Sequence, residues 1–195
     1  MPKVKQIVSV LNDRLTANKL AGHLYQRGTF YGLAVQERKE VDANSANDYL
    51  IPVVYNNGKT TDVTIDNTNT FQIYHRILSV NYGPSKEFGP LNESTYQMVA
   101  IVFYDKERIN IDADDLSYLI RCDIDKPLTK NELGTSNLAS VGSLVTGANL
   151  NSYQVMSSEF TNADYRLESN GTLFSINYTI RVTSQPSCIN CTDCD

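Results

Sequence analysis

The chain has 195 residues, enough for one domain with a sizeable core, alone or with an appendage. Hydrophobic residues make up 41% and charged residues 20%, the composition of an ordinary soluble globular protein. Lys and Arg number 17 against 22 Asp and Glu; the formal charge of -5 argues against a nucleic-acid-binding domain, whose footprint is a basic patch.

The N-terminal MPKVKQIVSVLNDRL carries charge, but it has no apolar run long enough for a signal peptide and no small-residue cleavage site. No stretch of the chain approaches the length of a membrane span. The expected compartment is therefore cytosol-like, and the glycosylation sequons at Asn92, Asn170, Asn177 and Asn190 read as chance matches. Over residues 3–20, Val4, Ile7, Val8, Leu11 and Leu15 recur at helical spacing, with Lys5, Asn12, Asp13 and Lys19 opposite. Pro2 suits a helix start and Gly22 a stop. Such a helix packs on a sheet, and in an assembly it also contacts a neighbouring subunit.

TFYGLAV then reads as a strand, ERKEVDANSANDY as a polar loop, and YLIPVVY as a short strand in which Pro52 points to an edge or a bulge. Asn57-Gly58, between YLIPVVY and the alternating TTDVTID, is a hairpin signal. From Phe71 to Ile124 the order is strand FQIYHRILSV, long loop NYGPSKEFGPLNES, strand TYQMVAIVFYD, short loop, and a helix in INIDADDLSYLIRCDI. Turn chemistry and hydrophobic period agree throughout this stretch.

Residues 134–152 are small, polar and rich in Gly and Ser, which suits a mobile loop or an extended arm; a short helix from Leu138 to Leu144 is the alternative. YQVMSSEF is mixed. DYRLESNGTLFSINYTIRV reads as a hairpin turning at Asn170-Gly171. Within it Phe174, Ile176, Tyr178, Ile180 and Val182 share one face, and Ser175, Asn177, Thr179 and Arg181 the other, a pattern of one buried and one wet face. The expected fold is α+β: an antiparallel-rich or mixed sheet, an N-terminal helix and a second helix packed on one face, extended hairpins and a long arm. Residues 1–182 form one domain and residues 183–195 a cysteine-bearing tail.

Candidate sites are few. Cys188, Cys191 and Cys194 form C-x-x-C-x-x-C, a spacing whose thiolates can grip one soft metal, with zinc as the cofactor this implies. A tetrahedral site needs a fourth ligand, from Cys122, Asp193, Asp195 or another chain; the alternative is a surface tail of reduced thiols. Asp112, Asp114 and Asp115 have the density for a hard cation, but they lack the glycine and distal glutamate of a calcium loop and read as helix-start residues. His23 and His75 are the chain's two histidines, and His75, in a strand, reads as a structural hydrogen-bonder. No nucleophile elbow, phosphate-binding glycine loop or H-E-x-x-H motif occurs, so no catalytic residue is assigned and an enzyme is not expected. Tyrosine, at 12 residues, supplies apolar area with a polar tip, useful at sheet faces and interfaces.

The order of the helix VKQIVSVLNDRL, the strands FQIYHRILSVNYG and TYQMVAIVFYD, the helix DADDLSYLIRC and the strand FSINYTIRV resembles the tail-completion and tail-terminator proteins of tailed bacteriophages. The Asn- and Tyr-rich, His-poor character with a cysteine-bearing tail also resembles neck ring proteins of crAss-like phages. The resemblance implies a structural virion protein, assembled in the host bacterial cytoplasm as a homo-oligomeric ring of the neck or tail. Its partners would be copies of itself and adjacent neck, tail or portal proteins, with DNA passing through the lumen without specific binding and no membrane involved. No site residue carries over, because that family works through surfaces. Two other readings are a zinc-binding adaptor that docks through the cysteine tail and a small enzyme with a dispersed site that includes His75 or Asp114.

Overall fold

The computed structural model describes residues 2–17, 28–39, 49–56, 58–84, 91–133, 138–161 and 167–184. The elements run α1 (Pro2–Ala17), β1 (Gly28–Lys39), β2 (Tyr49–Asn56), β3 (Lys59–Asp62), β4 (Phe71–Pro84), β5 (Asn92–Asp105), α2 (Lys106–Ile109), α3 (Ala113–Asp125), α4 (Lys130–Leu133), β6 (Leu138–Asn149), α5 (Ser152–Glu159) and β7 (Gly171–Ser184). All seven strands join one sheet in the order β3-β2-β1-β4-β5-β7-β6. Only β1 and β4 pair in parallel; every other pairing is antiparallel. The expected α+β class with a mixed sheet is what forms.

β7 explains the centre. Phe174, Ile176, Tyr178, Ile180 and Val182 are all buried, on the face that packs under α1 and α3. Val4, Ile7, Val8, Leu11 and Leu15 of α1 and Leu116, Ile120 and Ile124 of α3 complete that core. Both helices bring one apolar stripe to the sheet, but Asn12, expected on the polar face of α1, is buried toward the sheet, where His75 and the Tyr31 carbonyl are within hydrogen-bond reach. A smaller core lies on the other face, where Val155 of α5 meets Tyr74, Ile101, Phe103 and Leu173. The sheet is thus covered on both faces in its lower half, and α5 is a layer not foreseen from the mixed sequence YQVMSSEF. Asn151 starts α5 by accepting from the Gln154 amide at 3.1 Å.

Several local expectations are corrected. ERK, expected in a loop, continues β1, because Ala34–Lys39 find a backbone partner in β2. The long loop after FQIYHRILSV is mostly strand: Asn81–Pro84 pair with Asn92–Thr95, and only residues 85–90 fall outside the described set. The arm at 134–152, and the alternative helix at Leu138–Leu144, are replaced by β6, which pairs antiparallel with β7; residues 134–137 lie outside the described residues. A free β7 edge offers hydrogen bonds that a Gly/Ser/Thr-rich segment can take without needing a buried face of its own. Asn170-Gly171 is not a hairpin turn. β7 pairs with β5 and β6, and the Gly171 amide donates to the Glu168 carbonyl at 2.9 Å in a turn that leads into the strand. Residues 164–166, part of the expected first arm, lie outside the described residues.

Other expectations hold with detail added. Gly58, at φ 79°, occupies the left-handed region that the β2–β3 turn demands. Pro52 departs from the expected edge or bulge: it lies in interior strand β2 opposite Gln36 with no register shift, just past the last β2–β3 pair (Val53 with Asp62). Its carbonyl accepts from Val63 at 2.8 Å, which carries the same register one step beyond β3.

Replacing Ile176 with Ala should cost about 3–4 kcal/mol, because two buried methyls and a methylene vanish from the core. Leu144→Ser on β6, where the side chain is 63% exposed, should stay within about 0.5 kcal/mol. Urea unfolding monitored by far-UV circular dichroism measures both.

Candidate functional site

Among the described residues, two buried polar clusters and a half-sheet uncovered on the side of α5 stand out as places where chemistry or recognition could reside. The first cluster centres on His75, which β4 carries on the face under α1. Its Nδ1 accepts from the Tyr178 hydroxyl at 2.7 Å, and its Nε2 lies 3.1 Å from Asn12 Oδ1. Asn12 Nδ2 donates to the Tyr31 carbonyl at 3.0 Å, so its Oδ1 must accept and the imidazole carries its proton on Nε2. All three side chains are buried, His75 completely. Desolvation lowers the His75 pKa to about 4 and raises that of Tyr178, keeping both groups neutral and the donor directions fixed. The cluster pins α1 across β1, β4 and β7. With both nitrogens used and no face open to solvent, His75 acts as the structural hydrogen-bonder its strand context implied.

The second cluster holds α5. Glu159 is buried; its Oε1 accepts from Arg76 Nη2 at 2.6 Å and its Oε2 from the Tyr74 hydroxyl at 3.0 Å. Burial first, then the neighbouring carboxylate, pushes the Tyr74 pKa well up, so it remains a donor. Ser152 adds a second fastening, donating to the Leu173 carbonyl at 2.8 Å and accepting from its amide at 3.1 Å.

The aspartates sit where helix starts were expected. Asp112 occupies the N-cap of α3 with extended backbone but makes no side-chain cap bond, while Asp114 and Asp115 lie in the first turn, where they complement the dipole. Asp105, not singled out from sequence, does accept the amides of Glu107 and Arg108 at 2.9 and 3.1 Å and so starts α2. Thr129 and Glu132 cap α4 reciprocally, and Arg14 of α1 reaches Glu132 at 2.8 Å. Arg14 first, then Thr129, lowers the Glu132 pKa to about 2. Among the described residues no three His, Cys, Asp or Glu side chains group as a metal site. Cys122 is exposed on α3. Cys188, Cys191 and Cys194, together with Asp193, Asp195 and His23, lie outside the described residues.

The most distinctive surface is the distal half of the sheet, which is uncovered on the side of α5 while Ile180 and Val182 stay buried on the other. β1 pairs with β4 only as far as Ala34–Arg76, then follows β2. Beyond that fork β4, β5, β7 and β6 continue as a four-stranded ribbon that ends at Pro84, Asn92, Ser184 and Leu138. Asn81, Thr95 and Arg181 lie side by side across three strands, and Thr179 donates to Gln97 Oε1 at 3.0 Å beside them. An open depression of about 380 Å³ lies among Asn81, Glu93, Thr95 and Arg181. On the other face Tyr82, 72% exposed, meets the buried Tyr96 edge-to-face at 6.5 Å.

No protein-family model matches this chain, and no curated protein matches it significantly. No described helix is long and apolar enough to cross a membrane.

The pairing of Asn12 and Tyr178 with His75, and of Glu159 with Arg76, escaped sequence reasoning, because the partners are 63 to 103 residues apart in the chain. His75 binds no proton when folded above about pH 4 but does when unfolded below about 6.5. The unfolded state therefore holds the extra proton between these values, and stability falls as pH drops through that window, by roughly 3 kcal/mol in all. His75→Gln should flatten this part of the profile in urea titrations at stepped pH. Glu159→Ala strands the Arg76 charge on a largely buried site and should cost about 3 kcal/mol; adding Arg76→Met should restore part of that loss in the same titration.

Proposed function

We propose that this chain is a structural virion protein that assembles into a homo-oligomeric ring in the neck or tail of a tailed phage. One observation carries the reading: on the side of α5 the ribbon β4–β5–β7–β6 extends past the helix that covers the rest of that face, and among the described residues its two outer edges, β4 beyond Arg76 and β6, meet no further strand. A strand edge left open is a template for another chain, and native subunits either blunt it or use it. The ribbon's edges lie on opposite sides of the subunit, so contacts through them are head-to-tail, the kind that closes a ring when the rotation divides evenly. Exposed Tyr82, Tyr118 and Tyr153 are of the residue type enriched at interfaces.

The order of elements that resembles tail-completion proteins supports the same reading, now with the long hairpin β4–β5 in place of two strands and a loop. The partners under this proposal are copies of the chain and adjacent neck, tail or portal components, with the virion as location. Both buried polar clusters serve the fold, which leaves surfaces as the functional material.

Purified protein should give annular particles in negative-stain micrographs and a mass several times 21.8 kDa by light scattering. Its peptides should also be recovered from purified tailed particles. A monomer at every concentration up to the millimolar range overturns the ring reading.

A further inference from the structure

We propose that the ring closes by strand addition: the outer edge of β6 in one copy pairs antiparallel with the outer edge of distal β4 in the next. The inference rests on the ring reading and names its contact.

The hydrogen-bond alternation of the ribbon identifies the groups involved. The Val145 amide points away from β7, since it donates to Asp125 Oδ1 at 2.6 Å. Along a strand such groups alternate, so the amides and carbonyls of Ser143 and Val141 face the same way. Residues opposite one another form two rows across the sheet, Ser143–Ile180–Tyr96–Val80 and Val141–Val182–Ser94–Tyr82. In an antiparallel sheet each row alternates bonded and non-bonded pairs. Ser143 and Ile180 do not exchange bonds, Ile180 and Tyr96 do, and Tyr96 and Val80 do not. Val80 and Tyr82 therefore present their amides and carbonyls to the open side of β4. Among the described residues, each row ends at both edges in a donor and acceptor that no other strand meets.

Direction agrees with chemistry. β4 and β7 run one way, β5 and β6 the other. A second copy added in the same sense brings its β6 antiparallel to β4, the more stable pairing. Val80 then faces Ser143 and Tyr82 faces Val141 of the neighbour, and each of these two pairs exchanges two backbone bonds. The alternatives fit less well. Asp125 already occupies the Val145 amide, and the β6 ladder shifts register at Val145/Gly147 and at Leu138/Ser140, which confines the usable edge to the residues between. β3, the sheet's other end, is only Lys59–Asp62.

The test uses proline, which removes an amide and cannot accept a strand on that side. Val141→Pro damages the β6 edge and Tyr82→Pro the β4 edge, and both substituted amides face away from the subunit's own ladder. Light scattering in reducing buffer should show each variant alone at 21.8 kDa, with wild-type circular dichroism, and an equimolar mixture at about twice that mass, because each retains the edge the other needs. Hydrogen exchange on the wild type gives an independent measure: peptides covering Val80–Tyr82 and Val141–Ser143 should exchange at least tenfold more slowly in the assembly than in dilute monomer. If the wild type forms rings and both variants still do, or if those amides exchange equally fast in ring and monomer, this contact is wrong and the ring reading stands. A wild type that never assembles removes both.

Discussion

The antiparallel pairing of β5 with β7 is the constraint on which the molecule depends. It runs without a register shift from Asn92–Ser184 to Asp105–Gly171, the full length of both strands. Backbone groups in this ladder are satisfied far from water, and the two strands present a common row of apolar side chains to α1 and α3. Every other strand is placed by reference to it: β4 on one side, β6 on the other, and the β1–β2–β3 unit outside β4. Tyr178, at the middle of β7, also supplies the hydroxyl that orients His75, so the same ladder sets the buried polar cluster under α1.

Below the fork the sheet is an ordinary domain interior, covered by α1 and α3 on one side and α5 on the other. Above it the same strands run on with less cover, and polar side chains occupy the face toward α5's side. The contrast has a simple origin. α5 has only 8 residues and β1 leaves β4 at Ala34, so the cover on the α5 side does not follow the ribbon to its end. A single chain can thus be stable through one half and adhesive through the other, since the apolar burial that stabilises it does not involve the free edges.

The buried polar clusters make the fold specific rather than merely compact. His75, Asn12 and Tyr178 form one chain of donors and acceptors that is satisfied only when α1 lies at one azimuth over the sheet. Glu159 does the same for α5, whose apolar contribution from Val155 is small. Removing any one member leaves a desolvated group unpaired, which costs more than the bond itself contributes.

The amino-acid sequence by itself determined the elements with a strong period. The stripe of α1, the alternation of β7, the run of β5, the stripe of α3 and the glycine turn at Gly58 all follow from local spacing and backbone preference. It also marked His75 as a strand residue without a nucleophile in recognisable context. Only the tertiary structure decided that the Gly/Ser-rich segment is β6, that YQVMSSEF is a helix, and that Asn170-Gly171 leads into a strand instead of joining two. Those segments have weak preferences of their own and take the form that a neighbouring open edge or uncovered face imposes. The pairing of His75 with Asn12 and of Glu159 with Arg76 was equally invisible, because hydrogen bonds across scores of residues leave no trace in local spacing. The fork that exposes the β4 edge arises the same way, from where β1 exchanges one partner for another, a choice made by packing in three dimensions.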